Sequence, residues 1–184
     1  MNLAAKLDAA AKPVGRVARS KGGIVIPFDP RGKWGLRVRD KAGKIIETRE
    51  FENLVTTEGQ NYLLSAGLDG GAQTTTWYVL LTDGTPTVAA GNTLPSHAGW
   101  VEVADYAGSR PAWVGGTAAA GSIDNVASVA SFAINADGVT IGGAGLCAVA
   151  TGTAGVLYSV GAFSGGDLVL NDGSTLEVTA TFTV

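Results

Sequence analysis

Beyond Arg49 this chain carries one basic residue, Arg110, in 135 positions, while twelve of its thirteen Lys and Arg residues lie at or before Arg49. Solvent-facing helices draw their polar faces largely from long charged side chains with high helix propensity. The segment after Arg49 offers Gly, Ala, Thr, Val and Ser instead, a composition that favours short strands and tight turns. The expected body is therefore mainly β.

The same split divides the charge. Residues 1–52 hold twelve basic against six acidic side chains, net +6, and residues 53–184 hold one against ten, net −9, beneath an overall −3. Such asymmetry reports on partners rather than on fold, and suggests a cationic anchoring segment joined to an acidic body. At 184 residues the chain is long enough for a self-sufficient core. Only 16% of its residues are charged, below the roughly 25% of ordinary soluble domains, as suits a protein that packs in an assembly.

Other totals narrow the chemistry. A lone cysteine, Cys147, cannot make an intramolecular disulfide, and a lone histidine, His97, rules out a His-rich metal cluster. No run of 18 apolar residues occurs, and the first residues interrupt their alanines with Lys6 and Asp8, so neither a membrane span nor a signal peptide is expected. The expectation is a soluble protein synthesised in the cytoplasm.

Three segments follow from the pattern: an N-terminal arm over 1–23, a basic hairpin region over 24–52, and an acidic β-rich body over 53–184. In the arm, residues 2–12 read as a short helix capped by Asn2 and stopped by Pro13, with Leu3, Leu7, Ala10 and Val14 on one face. A helix of that length is marginal alone and forms by docking. Residues 14–23 read as a basic linker. Strands are expected at 24–28 and 34–39, a turn at Asp40-Lys41-Ala42-Gly43, and a return strand over 44–51. Thr57-x-x-Gln60 has the capping-box pattern of one short helix closed by Gly67. Seven strands then recur, at 76–81, 100–103, 126–134, 145–150, 156–163, 168–170 and 175–184, with turns at Asp83-Gly84, Asp137-Gly138 and Asp172-Gly173. The last alternates Leu176, Val178, Ala180 and Phe182 against Glu177, Thr179, Thr181 and Thr183, as in a strand buried on one face. The expected architecture is a β-sandwich or jelly-roll-like body with an extended basic arm, a hairpin and one or two short helices.

Catalytic patterns are scarce. Ser96 and His97 lack a Gly-x-Ser-x-Gly elbow, and His97 reads as a loop residue stacked on Trp100 or exposed. Asp69, Asp83, Asp137 and Asp172 lie in turns or before glycine, where carboxylates serve local amides. Gly142-Gly-Ala-Gly145 has no Gly-Lys-Ser/Thr after it, and Cys147 sits in an apolar run as a small hydrophobe. No catalytic residue, metal or cofactor is expected. Arg110, the body's lone cation, is expected to pair with Asp105 or Glu102, in a loop shared with Trp113. Trp100, Arg110 and Trp113 are candidate loop or oligomer contacts. Lys12, Arg16, Arg19, Lys21, Arg31, Lys33, Arg37 and Arg39 form the candidate binding set. They could meet nucleic-acid phosphates, but the acidic body beside them would repel a duplex; an acidic protein surface is the better match, and a solvated face is the remaining reading.

Several segments together resemble a family of tailed-bacteriophage structural proteins: Phe51–Leu64, Thr76-Trp-Tyr-Val79, His97-Ala-Gly-Trp-Val-Glu-Val103, Tyr106-x-x-x-Arg-Pro-x-Trp113, Ser131-Phe-Ala-Ile-Asn135 and Gly155-Val-Leu-Tyr158. The resemblance covers about residues 45–184 and leaves out the first 44. It implies a virion component, and within that class a head decoration (cement) protein on the major capsid protein lattice, commonly trimeric, located on the phage head surface. A tail-fibre, baseplate or receptor-binding component, with the loops around Trp100 and Trp113 on a host surface, is the alternative. An enzyme such as a glycan hydrolase, working through Ser96, His97 or Asp105, has the weakest case.

Overall fold

The computed structural model describes Ala18–Ser20, Gly23–Val25 and residues 29–184, the first two segments by their backbone alone. The expected helix over 2–12 lies outside the described residues. Strands β1 (Ala18–Ser20) and β2 (Gly23–Val25) pair antiparallel, Ala18 opposite Val25, so the stretch read as a linker contributes a strand.

The basic hairpin follows as β3 (Arg31–Arg39) and β4 (Ile45–Val55). Its turn is held by Asp40, whose carboxylate accepts the N–H groups of Ala42 and Lys44 at 2.9 Å each. Gly43 closes it at φ 81°, a left-handed conformation that costs glycine little. Helix α1 (Thr57–Leu68) is capped one residue earlier than the sequence pattern implied: the Thr56 hydroxyl accepts from Gly59 N–H at 3.0 Å. Gly67 does not end it, and the helix runs one residue further, to Leu68.

The body continues through β5 (Trp77–Asp83), β6 (Val101–Glu102), β7 (Ala112–Trp113), β8 (Ser122–Asp124), β9 (Ala130–Ala133), β10 (Val139–Ile141), β11 (Gly143–Cys147), β12 (Leu157–Ala162), β13 (Leu168–Leu170) and β14 (Thr175–Thr183). Each of the seven expected strands is present, the one over 168–170 with the expected ends and the others with altered ends. Strands β7, β8 and β10 were not expected; two or three residues are too few to show a period. The three Asp-Gly turns do place Gly84, Gly138 and Gly173 at positive φ, between 67° and 82°.

Ten strands form one antiparallel sheet in the order β6-β5-β11-β12-β4-β3-β14-β8, with β7 also on β5 and β9 also on β14. Strand β4 joins its two halves. Through Asn53 it pairs with β3, and through Leu54 and Val55 with β12. The halves close on a common core in which Val79, Leu81, Ala144 and Leu146 meet Trp34, Leu36, Val178 and Phe182, making a sandwich-like body. A register slip between Leu146 and Cys147 leaves Tyr158 unpaired, and that bulge sends its ring into this core beside Phe182. On the opposite face of the β5–β11–β12 half, Leu80, Leu94, Trp100, Cys147, Leu157 and Val160 make a second core, roofed by the connection after β5. Helix α1 seats closely on β12: Thr56 N–H donates to Tyr158 O at 3.0 Å, and Leu157 N–H donates to Glu58 at 2.9 Å. A Cβ on Gly59 would sit 2.3 Å from Tyr158 O, so this contact needs glycine.

Candidate functional site

The outer face of β4–β3–β14 carries the described part of the candidate binding set. Alternation buries Trp34, Leu36 and Val38 and turns Arg31, Lys33, Arg37 and Arg39 outward in a row broken at Gly35. Each of the four cations finds a carboxylate of the same chain. Arg31 pairs with Asp29 at 2.6 Å and Lys33 with Glu50 at 2.7 Å. Glu177 of β14 takes two: Arg39 Nε donates to Oε1 at 2.8 Å, and Arg37 Nε lies 3.1 Å from Oε2, a charge contact without hydrogen-bond alignment. The bond to Glu177 holds the Arg39 guanidinium above its ordinary pKa. Pairs this open to water are worth little individually.

By sequence, net positive charge is greater ahead of the hairpin than within it. Residues 29–52 hold seven basic and five acidic side chains, net +2, whereas residues 1–28 hold five basic (Lys6, Lys12, Arg16, Arg19, Lys21) and only Asp8, net +4. Lys12, Arg16 and Lys21 lie outside the described residues, and Arg19 is described by its backbone alone, opposite Ile24.

Arg110 is 6% exposed and locked in place. Its Nε and Nη2 donate to the two oxygens of Glu102 at 2.6 Å each, and Nη1 donates to Val149 O at 2.9 Å. Glu102 is thus its partner, rather than Asp105. The bidentate bond raises the Arg110 pKa further. Nearby Tyr106 is pushed up to about 12 by burial. Trp100 is 6% exposed within the second core, and its ring stacks on His97 at 3.6 Å. His97 Nδ1 lies 3.0 Å from Trp100 O, so the imidazole serves its own loop. Trp100 and Arg110 therefore act as contacts inside the chain and leave little surface for a second copy; Trp113 is half-buried. Burial also pushes the Cys147 thiol above its ordinary pKa, which disfavours the thiolate. Among the described residues no three His, Cys, Asp or Glu side chains gather as a metal site, and no helix is long and apolar enough to cross a membrane.

One feature of the surface was not legible in the sequence. Between α1 and the β7–β8 edge the inner core opens through an apolar mouth of about 160 Å³, rimmed by Tyr62, Leu63, Trp77, Trp113 and Ile123 and floored by Leu146, Tyr158 and Phe182. Edge-on aromatic contacts run through it: Tyr62 to Trp77 at 5.0 Å, Trp77 to Tyr158 at 5.5 Å, Trp113 to Phe182 at 5.7 Å. Trp113 Nε1 is buried there without a hydrogen-bond partner. The two tryptophans and Tyr62 were visible as aromatics in or beside predicted elements, but nothing local indicated that they converge.

No known protein family matches this chain, and no curated protein matches it.

Proposed function

We propose that this chain is a structural protein of a tailed-phage particle, a head decoration protein that binds and stabilises the major capsid protein lattice as a trimer. The observation that carries the reading is the separation of charge. Net positive charge concentrates in residues 1–28, +4 by sequence, ahead of a body that is net −9 over residues 53–184. Complementary charge of this kind speeds encounter with an acidic surface and sets register on it. Weak contacts repeated by symmetry then add up to avidity. A sandwich-like body whose β3 cations are paired within the chain suits side-by-side packing of like copies.

Reconstitution tests this. Undecorated heads should take up the full chain, and changing Arg16, Arg19 and Lys21 to Glu should reduce uptake at least tenfold. Uptake unchanged by charge reversal would overturn the arm as the docking element. Copy number on the intact particle addresses position: hundreds of copies on the head fit decoration, and units to tens on the tail would favour a fibre, baseplate or receptor-binding part instead.

A further inference from the structure

The aromatic mouth is an apolar site to which the particle reading gives no role. Register brings its two tryptophans side by side: Trp77 of β5 pairs directly with Trp113 of β7, so both rings stand on the same face of the sheet. Helix α1 sets Tyr62 edge-on to Trp77, and β8 places Ile123 opposite Phe182 of the floor. Gly115 shapes the rim by lacking a side chain, since a Cβ there would lie 2.7 Å from the Trp113 ring and 3.0 Å from Ile123 Cδ1. The walls thus come from α1, β5, β7 and β8, over a floor from β11, β12 and β14.

The lining decides what can enter. The opening holds about 160 Å³, and an apolar cavity of about 150 Å³ admits benzene, so the space suits a single six-membered ring. Rim and floor are largely aromatic, which offers a flat ring the offset and edge-on contacts that aromatic pairs prefer. No carboxylate, amine or guanidinium lines the opening, and the floor phenol Tyr158 is pushed up to about 12 by burial. A charged ligand would lose its hydration there without a counter-ion, and a sugar would lose it at several hydroxyls. Hydrogen bonding narrows the class further. The Tyr62 hydroxyl already accepts Thr74 N–H at 2.6 Å, whereas among the described residues the buried Trp113 Nε1 has no acceptor. A buried donor left unpaired is costly, and a ligand atom that accepts from it removes that cost.

We propose that the mouth is a binding site for an uncharged, single-ring aromatic molecule that carries one hydrogen-bond acceptor. The ring rests among Tyr62, Trp77, Trp113 and Ile123, and its acceptor meets Trp113 Nε1. Phenol is the simplest member of this class. The inference goes beyond the particle reading and does not depend on it.

Titration of the full chain with phenol tests it. Phenol up to about 10 mM should shift the Trp113 indole N–H resonance saturably, with half-saturation at or below about 1 mM, and leave that of Trp100 in the second core unmoved. Ile123→Trp, which fills the opening, should abolish the shift; should it disturb folding, Leu63→Trp asks the same question from α1. Toluene, with a methyl group in place of the hydroxyl, separates the donor from the cavity. In Trp113→Phe, followed through the Trp77 indole, phenol should weaken relative to toluene by about fivefold, as expected for the loss of one hydrogen bond. Benzoate should bind about tenfold more weakly than phenol, or worse. No saturable Trp113 shift with phenol, or equal affinity for benzoate, would overturn the proposal. So would a Trp113 resonance that moves with protein concentration before phenol is added, because a second copy would then fill the mouth. An unchanged phenol-to-toluene ratio in Trp113→Phe would refute Trp113 as the donor, and with it the acceptor required of the ligand.

Discussion

The two halves of the sandwich solve the same burial problem differently. In the β3–β14 half one face meets water, and the strands alternate: Trp34, Leu36, Val38, Leu176, Val178 and Ala180 are each at most 1% exposed, while the residues between them are partly or fully exposed. In the β5–β11–β12 half both faces are covered, one by the shared core and one by the roof bearing Leu94 and Trp100. All five residues of β11 and five of the six in β12 are buried, so neither strand alternates. Charge sorts the same way, because an ion in a strand buried on both faces would lose its hydration without replacement. The open half can carry function on its outer face; the closed half serves as packing.

Substitutions can break this contrast. The largest effect should come from Trp34→Ala, which empties a fully buried site where the indole meets Phe51 and Phe182, at a cost of about 3–5 kcal/mol. Leu80→Ala in the second core should cost about 2–5 kcal/mol in denaturant unfolding. If it cost under about 1 kcal/mol, the roof would not be an integral layer. Glu102→Gln should cost about 2 kcal/mol, between the values for buried and exposed pairs, because Arg110 is enclosed while Glu102 keeps 25% exposure. Thr56→Ala, which removes the cap that fastens α1 to β12, should cost about 1–2 kcal/mol. On the open face, Lys33→Gln should change stability by less than about 0.5 kcal/mol. A loss there equal to that of Leu80→Ala would abolish the distinction between the halves.

Alkaline pH sharpens it further. Burial raises Tyr106 and Tyr158 from the ordinary 10 to about 12. Between those values the folded state keeps phenolic protons that the unfolded state has lost, so the stability these groups contribute is present below pH 10 and is lost as pH rises toward 12. The melting temperature should fall across that window, and Tyr158→Phe should reduce the slope.

Legibility followed exposure to water. The hairpin and β14 were readable because one wet face imposes a period of two, and the Asp-Gly turns because their glycines occupy positive φ. Strands β7, β8 and β10 were not, since their pairing is set by distant partners rather than by their own two or three residues. For the candidate site, the sequence identified the cations of the open face, and it placed the Arg110 partner among two carboxylates. It could not show that Glu177 pairs with both Arg37 and Arg39 of the hairpin row, because Glu177 is 138 residues from Arg39.

By itself, then, the sequence determined a β-rich, charge-poor body, a cationic leader and the turn positions, because composition and local backbone preference act within a few residues. The tertiary structure alone decided which face has water, which carboxylates pair with the hairpin cations and where the aromatics of α1, β5, β7 and β14 converge. Those outcomes depend on β4 joining two half-sheets, and on pairings between residues far apart in the chain that no local pattern encodes.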